Sequence, residues 1–146
     1  MNILLVDDND ILRSLGKETL SLLGQKVDTA SSGEQALQKS NEKRYDLIFL
    51  DINMPILDGY QTLMSLRENG FFKPIVAVSA DPLEKSKCKK MGFNSFLDKP
   101  YGFNQMKAFI NSFILPCWKQ SIKFLMVFIP KFYESFIVVS VRGQRS

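Results

Sequence analysis

The chain has 146 residues and a net charge of +4, and its 45% hydrophobic and 23% charged residues are typical of one globular domain. It contains no histidine, which excludes Ser-His-Asp hydrolysis, Cys-His proteolysis, histidine-ligated zinc and a phosphohistidine of its own. Its two cysteines, Cys88 and Cys117, are too few for a four-cysteine zinc site or a disulfide scaffold.

The sequence carries no targeting or membrane signal that we recognise. Acidic residues begin at Asp7 and Asp8, too early for the apolar region of a signal peptide. The longest uncharged apolar stretch, residues 108–118, is shorter than the ~18 residues that a membrane-spanning helix needs. We therefore expect a cytoplasmic protein whose thiols are reduced.

Five short apolar runs predict strands, and longer amphipathic segments between them predict helices. Three of the runs are continuously apolar, which is typical of parallel strands that are covered on both faces. Strict alternation of strand and helix, without hairpin signals, predicts a parallel sheet with helices on both faces. The predicted strands are Ile3–Val6, Val27–Ala30, Leu47–Leu50, Ile75–Val78 and Ser95–Leu97.

The predicted helices begin at residues that can cap their first turn. Ser31, followed three residues later by Glu34, forms a capping box that opens the second helix. Asp58 is the predicted N-cap of the third helix. Asp81 with Pro82 opens the predicted fourth helix, because proline is tolerated in a first turn. The fifth helix shows an apolar stripe at helical spacing, formed by Phe103, Met106, Phe109, Ile110, Phe113 and Ile114.

Polar side chains follow four of the predicted strands. Asp7 and Asp8 follow the first strand, Asp51 the third, Ser79 the fourth and Lys99 the fifth. Because ligands of open parallel sheets bind beyond the carboxyl ends of the strands, we expect these side chains to converge on one rim. Three neighbouring carboxylates repel one another unless a hard divalent cation such as Mg²⁺ lies among them. The set therefore predicts a Mg²⁺-assisted phosphoryl site in which one carboxylate is the nucleophile.

At these residues the sequence resembles the receiver domain of two-component response regulators, the CheY-like family. The resemblance covers residues 1 to about 115, and its matching stretches are residues 4–9, 47–60, 74–80 and 96–100. It implies a doubly wound, five-stranded parallel sheet in the order 2-1-3-4-5. We therefore expect a receiver domain at residues 1–116, followed by a C-terminal extension at residues 117–146.

The resemblance implies roles for the acidic residues. Asp51 is the expected phosphoacceptor. The expected metal ligands are Asp8 and Asp51, with Asp7 acting through water and Asn53 through its backbone carbonyl. Taken alone, without Asp51 and Lys99, the pair Asp7 and Asp8 would be explained by capping of the first helix, since acidic residues are common in a first turn.

The resemblance also implies a switch. Lys99 would pair with the phosphoryl group, and its peptide bond to Pro100 would be cis. Ser79 would turn toward the phosphoryl group and leave space into which Phe96 swings. This movement would change the surface of the fourth helix, fifth strand and fifth helix, where a downstream protein would bind. An ordinary core position for Phe96 remains the alternative.

The expected function is that of a signalling module rather than an enzyme. Asp51 would take a phosphoryl group from a histidine kinase or a histidine phosphotransfer protein, and water would remove it slowly, because the small Ala80 leaves it accessible. The alternative is a Mg²⁺-dependent phosphatase of the haloacid-dehalogenase type. In such phosphatases the acidic pair comes last, and a second aspartate stands where this chain has Asn53.

Residues 117–146 differ from the rest of the chain. They hold five basic residues and the single acidic residue Glu134, so the net charge of +4 lies wholly within them. Three interpretations stay open: a cover for the domain's own apolar surface, a segment for a partner or a homodimer, and a membrane-surface segment. About thirty residues without a helix-turn-helix pattern predict no direct contact with nucleic acid.

Overall fold

A computed structural model of the chain describes residues 1–114. Five strands and five helices alternate strictly, as predicted. Each strand includes the predicted run and extends at least one residue beyond it. The elements are β1 (Asn2–Val6), α1 (Asp10–Leu22), β2 (Lys26–Ala30), α2 (Gly33–Glu42), β3 (Leu47–Asp51), α3 (Gly59–Glu68), β4 (Ile75–Ser79), α4 (Glu84–Met91), β5 (Ser95–Asp98) and α5 (Phe103–Ile114).

The five strands form one parallel sheet in the order β2-β1-β3-β4-β5. The predicted strand order is therefore confirmed. The ladder continues through the polar residues at the strand ends, because Asp51 lies opposite Val78 and Ser79 lies opposite Asp98. This register brings the carboxyl ends of the strands to one edge of the sheet.

Side chains of the central strands alternate between two helix layers, as the period of two residues in a strand requires. Leu4 belongs to a core cluster that includes Ala36 of α2 and Leu63 of α3. Leu5 points to the other face, where α1 lies so close that a Cβ on Gly16 would be 2.7 Å from Leu5 Cδ2. Helices on both faces are therefore confirmed.

The capping prediction was right for α3 and wrong by one residue for α2. Asp58 and Gln61 form a complete capping box at the start of α3. The N-cap of α2 is Ser32, whose Oγ accepts a hydrogen bond from the Gln35 N–H at 3.2 Å. Ser31 is not the cap; its backbone N–H donates a hydrogen bond to Gln35 Oε1 at 3.0 Å.

The start of α4 also differs from the prediction. The helix begins at Glu84 rather than at Pro82. Asp81 instead forms a turn ahead of the helix, in which its carboxylate accepts a hydrogen bond from the Leu83 N–H at 2.9 Å. Leu83 is the N-cap and makes no side-chain capping bond. Asp81 thus forms a turn before α4 without capping the helix.

Residues Met1–Lys107 form one compact unit, which contains the whole sheet. In the segment from Ala108 to Ile114, the rings of Phe109 and Phe113 lie 5.1 Å apart on α5. Within residues 1–114, no helix combines the length and apolar character needed to cross a membrane. The expectations for residues 117–146 fall outside the described residues, and the domain boundary at residue 116 stays a prediction.

Candidate functional site

The carboxyl ends of β1, β3 and β5 bring opposite charges together at one edge of the sheet. Lys99 Nζ lies 2.8 Å from Asp7 Oδ2 and 3.1 Å from Asp51 Oδ2. Asp7 and Asp51 are only 1% and 2% exposed, whereas Asp8 is open to solvent. The three acids each place one carboxylate oxygen within 4.8 Å of the others. The structure thus gathers the predicted charged residues into one pocket.

Ser79 and Asn53 line the same pocket. Ser79 is fully buried at the end of β4, and its Oγ accepts a hydrogen bond from the Asp81 N–H at 3.1 Å. The side-chain amide nitrogen of Asn53 lies 3.5 Å from Ser79 Oγ. The backbone N–H of Asn53 donates to Asp51 Oδ1 at 3.1 Å, which orients the Asp51 carboxylate. The predicted hydroxyl and the Asn53 backbone therefore both lie beside Asp51.

Burial dominates the electrostatics of Asp51. Desolvation raises its pKa to about 6, although Lys99 and the Asn53 N–H favour the ionised form, and the nearby Asp7 adds repulsion. Burial alone would lower the pKa of Lys99, but the two carboxylates beside it raise that pKa overall. The pocket therefore favours the charged form of Lys99, and it compensates the charge of the Asp51 carboxylate only in part.

The donor set fits a hard divalent cation. Three carboxylates face one ammonium group, so the pocket has excess negative charge and oxygen ligands, which Mg²⁺ prefers. Asp7 Oδ1 accepts a hydrogen bond from the Asn9 N–H at 2.9 Å, whereas the buried Asp7 Oδ2 lies 2.8 Å from Lys99 Nζ in an ion pair without hydrogen-bond geometry. Asp8 is exposed and points to no such partner within the described residues. The residues present therefore suit direct ligation by Asp8 better than by Asp7.

Three residues that were not among the predicted site residues support the pocket. Arg13 on α1 donates from Nη1 to the main-chain oxygen of Asp7 at 2.7 Å. A Cβ on Gly59 would lie 2.5 Å from the main-chain oxygen of Asp51, so only glycine permits this approach of α3. Tyr101 is buried after β5, and burial followed by the charges of Asp7 and Asp51 raises its pKa. Arg13 and Tyr101 follow no local pattern that would reveal these contacts.

The remaining predicted residues lie around β5. The Lys99–Pro100 peptide bond is cis, as the resemblance implied. Phe96 is partly buried and packs against the core cluster. Together with Cys88 and Phe93 it lines a cavity of about 330 Å³ between α4 and β5. The two interpretations of Phe96, as core residue and as switch, both remain compatible with this position.

A doubly wound parallel sheet with three carboxylates, a buried serine and a lysine at its carboxyl edge defines a CheY-like α/β signalling domain. The chain belongs to the response regulator receiver domain family, which it matches over residues 3–111. It is 38% identical over 109 residues to the sensor histidine kinase RcsC of Salmonella typhi. That match covers 73% of this chain and 12% of RcsC.

Two solved structures share the fold. The receiver domain of sensor histidine kinase PA1611 from Pseudomonas aeruginosa, with magnesium coordinated in its active-site cleft, is 33% identical and has a TM-score of 0.69. That match covers 76% of this chain and 94% of the other. The response regulator TrrA from Thermotoga maritima, in complex with Mg²⁺ and BeF, is 32% identical with a TM-score of 0.70. That match covers 76% of this chain and 96% of the TrrA chain.

The comparisons establish a receiver domain of two-component systems, a kind of domain found in sensor kinases and in response regulators. They give no support to the phosphatase alternative. The chain spans about an eighth of the length of RcsC.

Proposed function

We propose that Asp51 accepts a phosphoryl group from the phosphohistidine of a histidine kinase or a phosphotransfer protein. The observation that carries this proposal is the buried ion-pair cluster in which Lys99 Nζ lies 2.8 Å from Asp7 and 3.1 Å from Asp51. A nucleophilic carboxylate with an ammonium group beside it meets the two needs of phosphoryl transfer, attack on phosphorus and compensation of the oxygen charges.

In the proposed step, a carboxylate oxygen of Asp51 attacks the phosphorus atom while the bond to the donor's imidazole nitrogen breaks. The imidazole keeps the electron pair of that bond, and Asp51 becomes an acyl phosphate. Lys99 pairs with one phosphoryl oxygen, and the Ser79 hydroxyl turns to donate a hydrogen bond to another. Burial of Asp51 and Ser79 strengthens these contacts, because few water dipoles screen them.

We propose that Asp8, Asp51 and the backbone carbonyl of Asn53 hold Mg²⁺, with Asp7 contributing through water. When bound, Mg²⁺ supplies positive charge that offsets the negative charge of the carboxylates and of the phosphoryl oxygens. The exposure of Asp8 supports its part as a direct ligand.

The proposed output passes from Ser79 to Phe96. Phe96 now borders the cavity between α4 and β5, and its ring would swing inward into the space that Ser79 leaves. Such a movement would alter the exposed face of α4 and β5, and a downstream protein is proposed to bind the face that these elements form with α5. Because Phe96 lacks a hydroxyl group, the change would be one of packing alone.

The remaining parts of the proposal rest on the sequence. Water is proposed to hydrolyse the acyl phosphate slowly, and the exposed, small Ala80 supports this access. A cytoplasmic location is proposed, in keeping with the free thiol of Cys88. A homodimer contact and a membrane contact are proposed as alternative roles of residues 117–146.

Acetyl phosphate with Mg²⁺ tests the acceptor. The unaltered chain should gain close to one equivalent of acid-labile phosphate, and Asp51→Asn should gain none. Asp46→Asn is the matched control, because Asp46 precedes β3 at the opposite edge of the sheet and should leave the uptake unchanged. Uptake by Asp51→Asn at the level of the unaltered chain would refute the assignment.

Metal titration tests the proposed ligands separately. Asp8→Ala should weaken Mg²⁺ binding at least tenfold, since it removes the exposed carboxylate of the set. An unchanged titration would exclude Asp8 as a ligand.

A further inference from the structure

The cavity between α4 and β5 has the size of a small-molecule site. Its volume is about 330 Å³. Sites for small organic ligands have volumes of about 300–1,000 Å³, so the cavity lies at the lower end of that range. Asp51, Ser79 and Lys99 are not among the described residues that line it. The cavity is therefore separate from the acidic pocket, and its lining indicates what it holds.

The buried part of the lining is apolar. Cys88 and Phe93 are only 1% and 6% exposed, and the ring of Phe96 is partly buried beside them. Burial raises the pKa of the Cys88 thiol, so this group stays neutral at neutral pH and behaves as a small apolar side chain. Two phenylalanine rings favour an aromatic ligand, because rings stack or meet edge to face.

The exposed part of the lining is positively charged. Lys85 and Lys89 both line the cavity, and their spacing of four residues places them one above the other on the same face of α4. None of the described residues that line the cavity is acidic. Glu84, the acidic residue of α4, is engaged by the hydroxyl group of Tyr60. The charge at the cavity therefore favours an anion.

Interactions within the domain hold the walls of the cavity in place. Asn94 Oδ1 accepts hydrogen bonds from Arg67 Nη2 at 2.8 Å and from the Ile75 N–H at 2.9 Å. The ring of Phe93 meets the ring of Tyr60 edge to face, with 5.9 Å between their centroids. A ligand would enter a preformed site, so little of its binding free energy would be spent on ordering the protein.

We propose that this cavity binds a small aromatic carboxylate. Its ring would lie against Phe93 and Phe96, and its carboxylate would pair with Lys85 and Lys89. A neutral aromatic compound would gain nothing from the two ammonium groups, and an acid without a ring would leave the apolar part unfilled. The inference does not depend on the phosphorylation of Asp51, and it gives the domain a second chemical input.

Titration with 2-naphthoate, followed by amide NMR, tests the class of ligand. Signals of α4 and β5 should shift and saturate, while those of α1 and β2 should stay in place. 2-Naphthamide keeps the shape without the charge, and acetate keeps the charge without the ring. Each should bind at least about tenfold more weakly. No saturable shift with 2-naphthoate, or equal affinity for 2-naphthamide, would overturn the proposal.

A charge-matched pair of variants tests the two lysines. Lys85→Gln combined with Lys89→Gln should weaken 2-naphthoate binding about tenfold, because both ammonium groups are lost. Lys73→Gln combined with Lys90→Gln is the control, since both of these lysines are exposed and neither is among the residues that line the cavity. The control should keep its affinity within about twofold. Equal losses in both pairs would indicate unspecific attraction and overturn the site.

Filling the cavity provides a test that leaves the charges unchanged. Ser95 lines the cavity and is partly buried on β5, so the larger side chain of Ser95→Leu should occupy the space and abolish 2-naphthoate binding. Urea denaturation checks that the variant is folded. Full affinity in folded Ser95→Leu would contradict the proposal, and the lysine variants decide it if Ser95→Leu does not fold.

Asp51→Asn separates this site from the acidic pocket. It should bind 2-naphthoate within about twofold of the unaltered chain, because Asp51 does not line the cavity. A changed affinity would place the ligand in the acidic pocket and overturn the inference. The paired variant of Lys85 and Lys89 should take up phosphate from acetyl phosphate normally. Absence of uptake by the unaltered chain would contradict the proposed function of Asp51 and leave the 2-naphthoate result untouched.

Discussion

Lys99 lies between two buried carboxylates, and this arrangement determines the electrostatics of the pocket. One ammonium group compensates Asp7 and Asp51 only in part, which is why burial still raises the pKa of Asp51 to about 6. A buried ion pair contributes little net stability, because desolvation offsets the attraction. The cluster is therefore better explained by its chemistry than by the stability of the fold.

Gly59 shows how closely the fold approaches the phosphoacceptor, and Gly59→Ala tests that approach. The added Cβ would lie 2.5 Å from the Asp51 main-chain oxygen and 2.6 Å from Ile52 Cα. Because backbone cannot yield as a flexible side chain does, we expect a loss of about 2–3 kcal/mol in the free energy of unfolding. Acetyl phosphate uptake should fall as well, since the end of β3 must shift. Urea denaturation and a phosphorylation assay measure the two effects.

Gly102→Ala is the control for that substitution. A Cβ on Gly102 meets no atom within 4 Å, and Gly102 is not among the glycines with positive φ. Its free energy of unfolding should change by less than about 0.5 kcal/mol. Equal effects of the two substitutions on the free energy of unfolding would show that the close approach of Gly59 to Asp51 does not cause the expected loss.

At the scale of elements, α4 depends on α3 for its position. The helix has no side-chain N-cap, and Cys88 is its only buried residue. The hydroxyl group of Tyr60 on α3 donates a hydrogen bond to Glu84 and lies 3.5 Å from Cys88 Sγ. Lys87 Nζ lies over the ring of Tyr60, 4.1 Å from the ring centroid. Burial, and then the bond to Glu84, raises the pKa of Tyr60, so its hydroxyl stays a donor. One side chain thus fixes three residues of α4.

Tyr60→Phe should therefore loosen α4 without unfolding the domain. The ring is retained, and with it the edge-to-face contact with Phe93, so the loss should be about 1 kcal/mol for the hydroxyl alone. Amide hydrogen exchange in α4 should accelerate severalfold while exchange in the central strands stays slow. Tyr45→Phe is the matched control, because the Tyr45 hydroxyl donates to Asp28 and not to α4. Faster exchange in α4 of that control would contradict the proposed anchoring.

The edge strand β2 provides a prediction about pH. Asp28 accepts hydrogen bonds from Lys43 at 2.7 Å and from Tyr45 at 2.8 Å, and the bond to Lys43 is the main cause of its lowered pKa. A carboxyl group that is more acidic in the folded state stabilises the fold above its ordinary pKa of 3.8, and this contribution is lost as the pH falls through the lowered pKa.

We expect Asp28→Asn to lower the free energy of unfolding by about 0.5 kcal/mol at neutral pH, a small value because the ion pair is partly exposed to solvent. The difference from the unaltered chain should disappear in strong acid. Urea denaturation over a series of pH values measures this, and Lys43→Met should remove largely the same contribution. A difference that grows as the pH falls would contradict the assignment.

At the scale of the whole molecule, the predictable features are those that a local pattern encodes. The three central strands are continuously apolar, and alternation with helical segments indicated the two edge strands, so all five were predicted. The predicted ends fell short where polar residues such as Asp51 and Ser79 continue the ladder. The charged residues of the site were predictable because the carboxyl ends of parallel strands meet at one edge. Arg13 bonds to Asp7 six residues before it, at no helix or strand period, and Tyr60 bonds to Glu84 24 residues further on, so no spacing pattern encodes either contact.

The distribution of charge over the chain leads to the last prediction. Residues 1–116 carry equal numbers of basic and acidic residues, whereas the net charge of +4 lies in residues 117–146. The family match ends at residue 111, and all the predicted site residues lie between Asp7 and Lys99. A chain truncated after residue 116 should therefore keep its acetyl phosphate uptake within about twofold and lose its retention on a cation exchanger.

The full-length chain with Lys119, Lys123 and Lys131 replaced by glutamine is the control that separates charge from length. It should lose most of the retention on the cation exchanger, because it removes three of the five basic residues of the extension, and it should keep its phosphate uptake. If the truncated chain remains folded but no longer takes up phosphate, residues beyond 116 are part of the working receiver. The predicted boundary would then be wrong, because the chemistry of Asp51 would depend on a segment outside the family match.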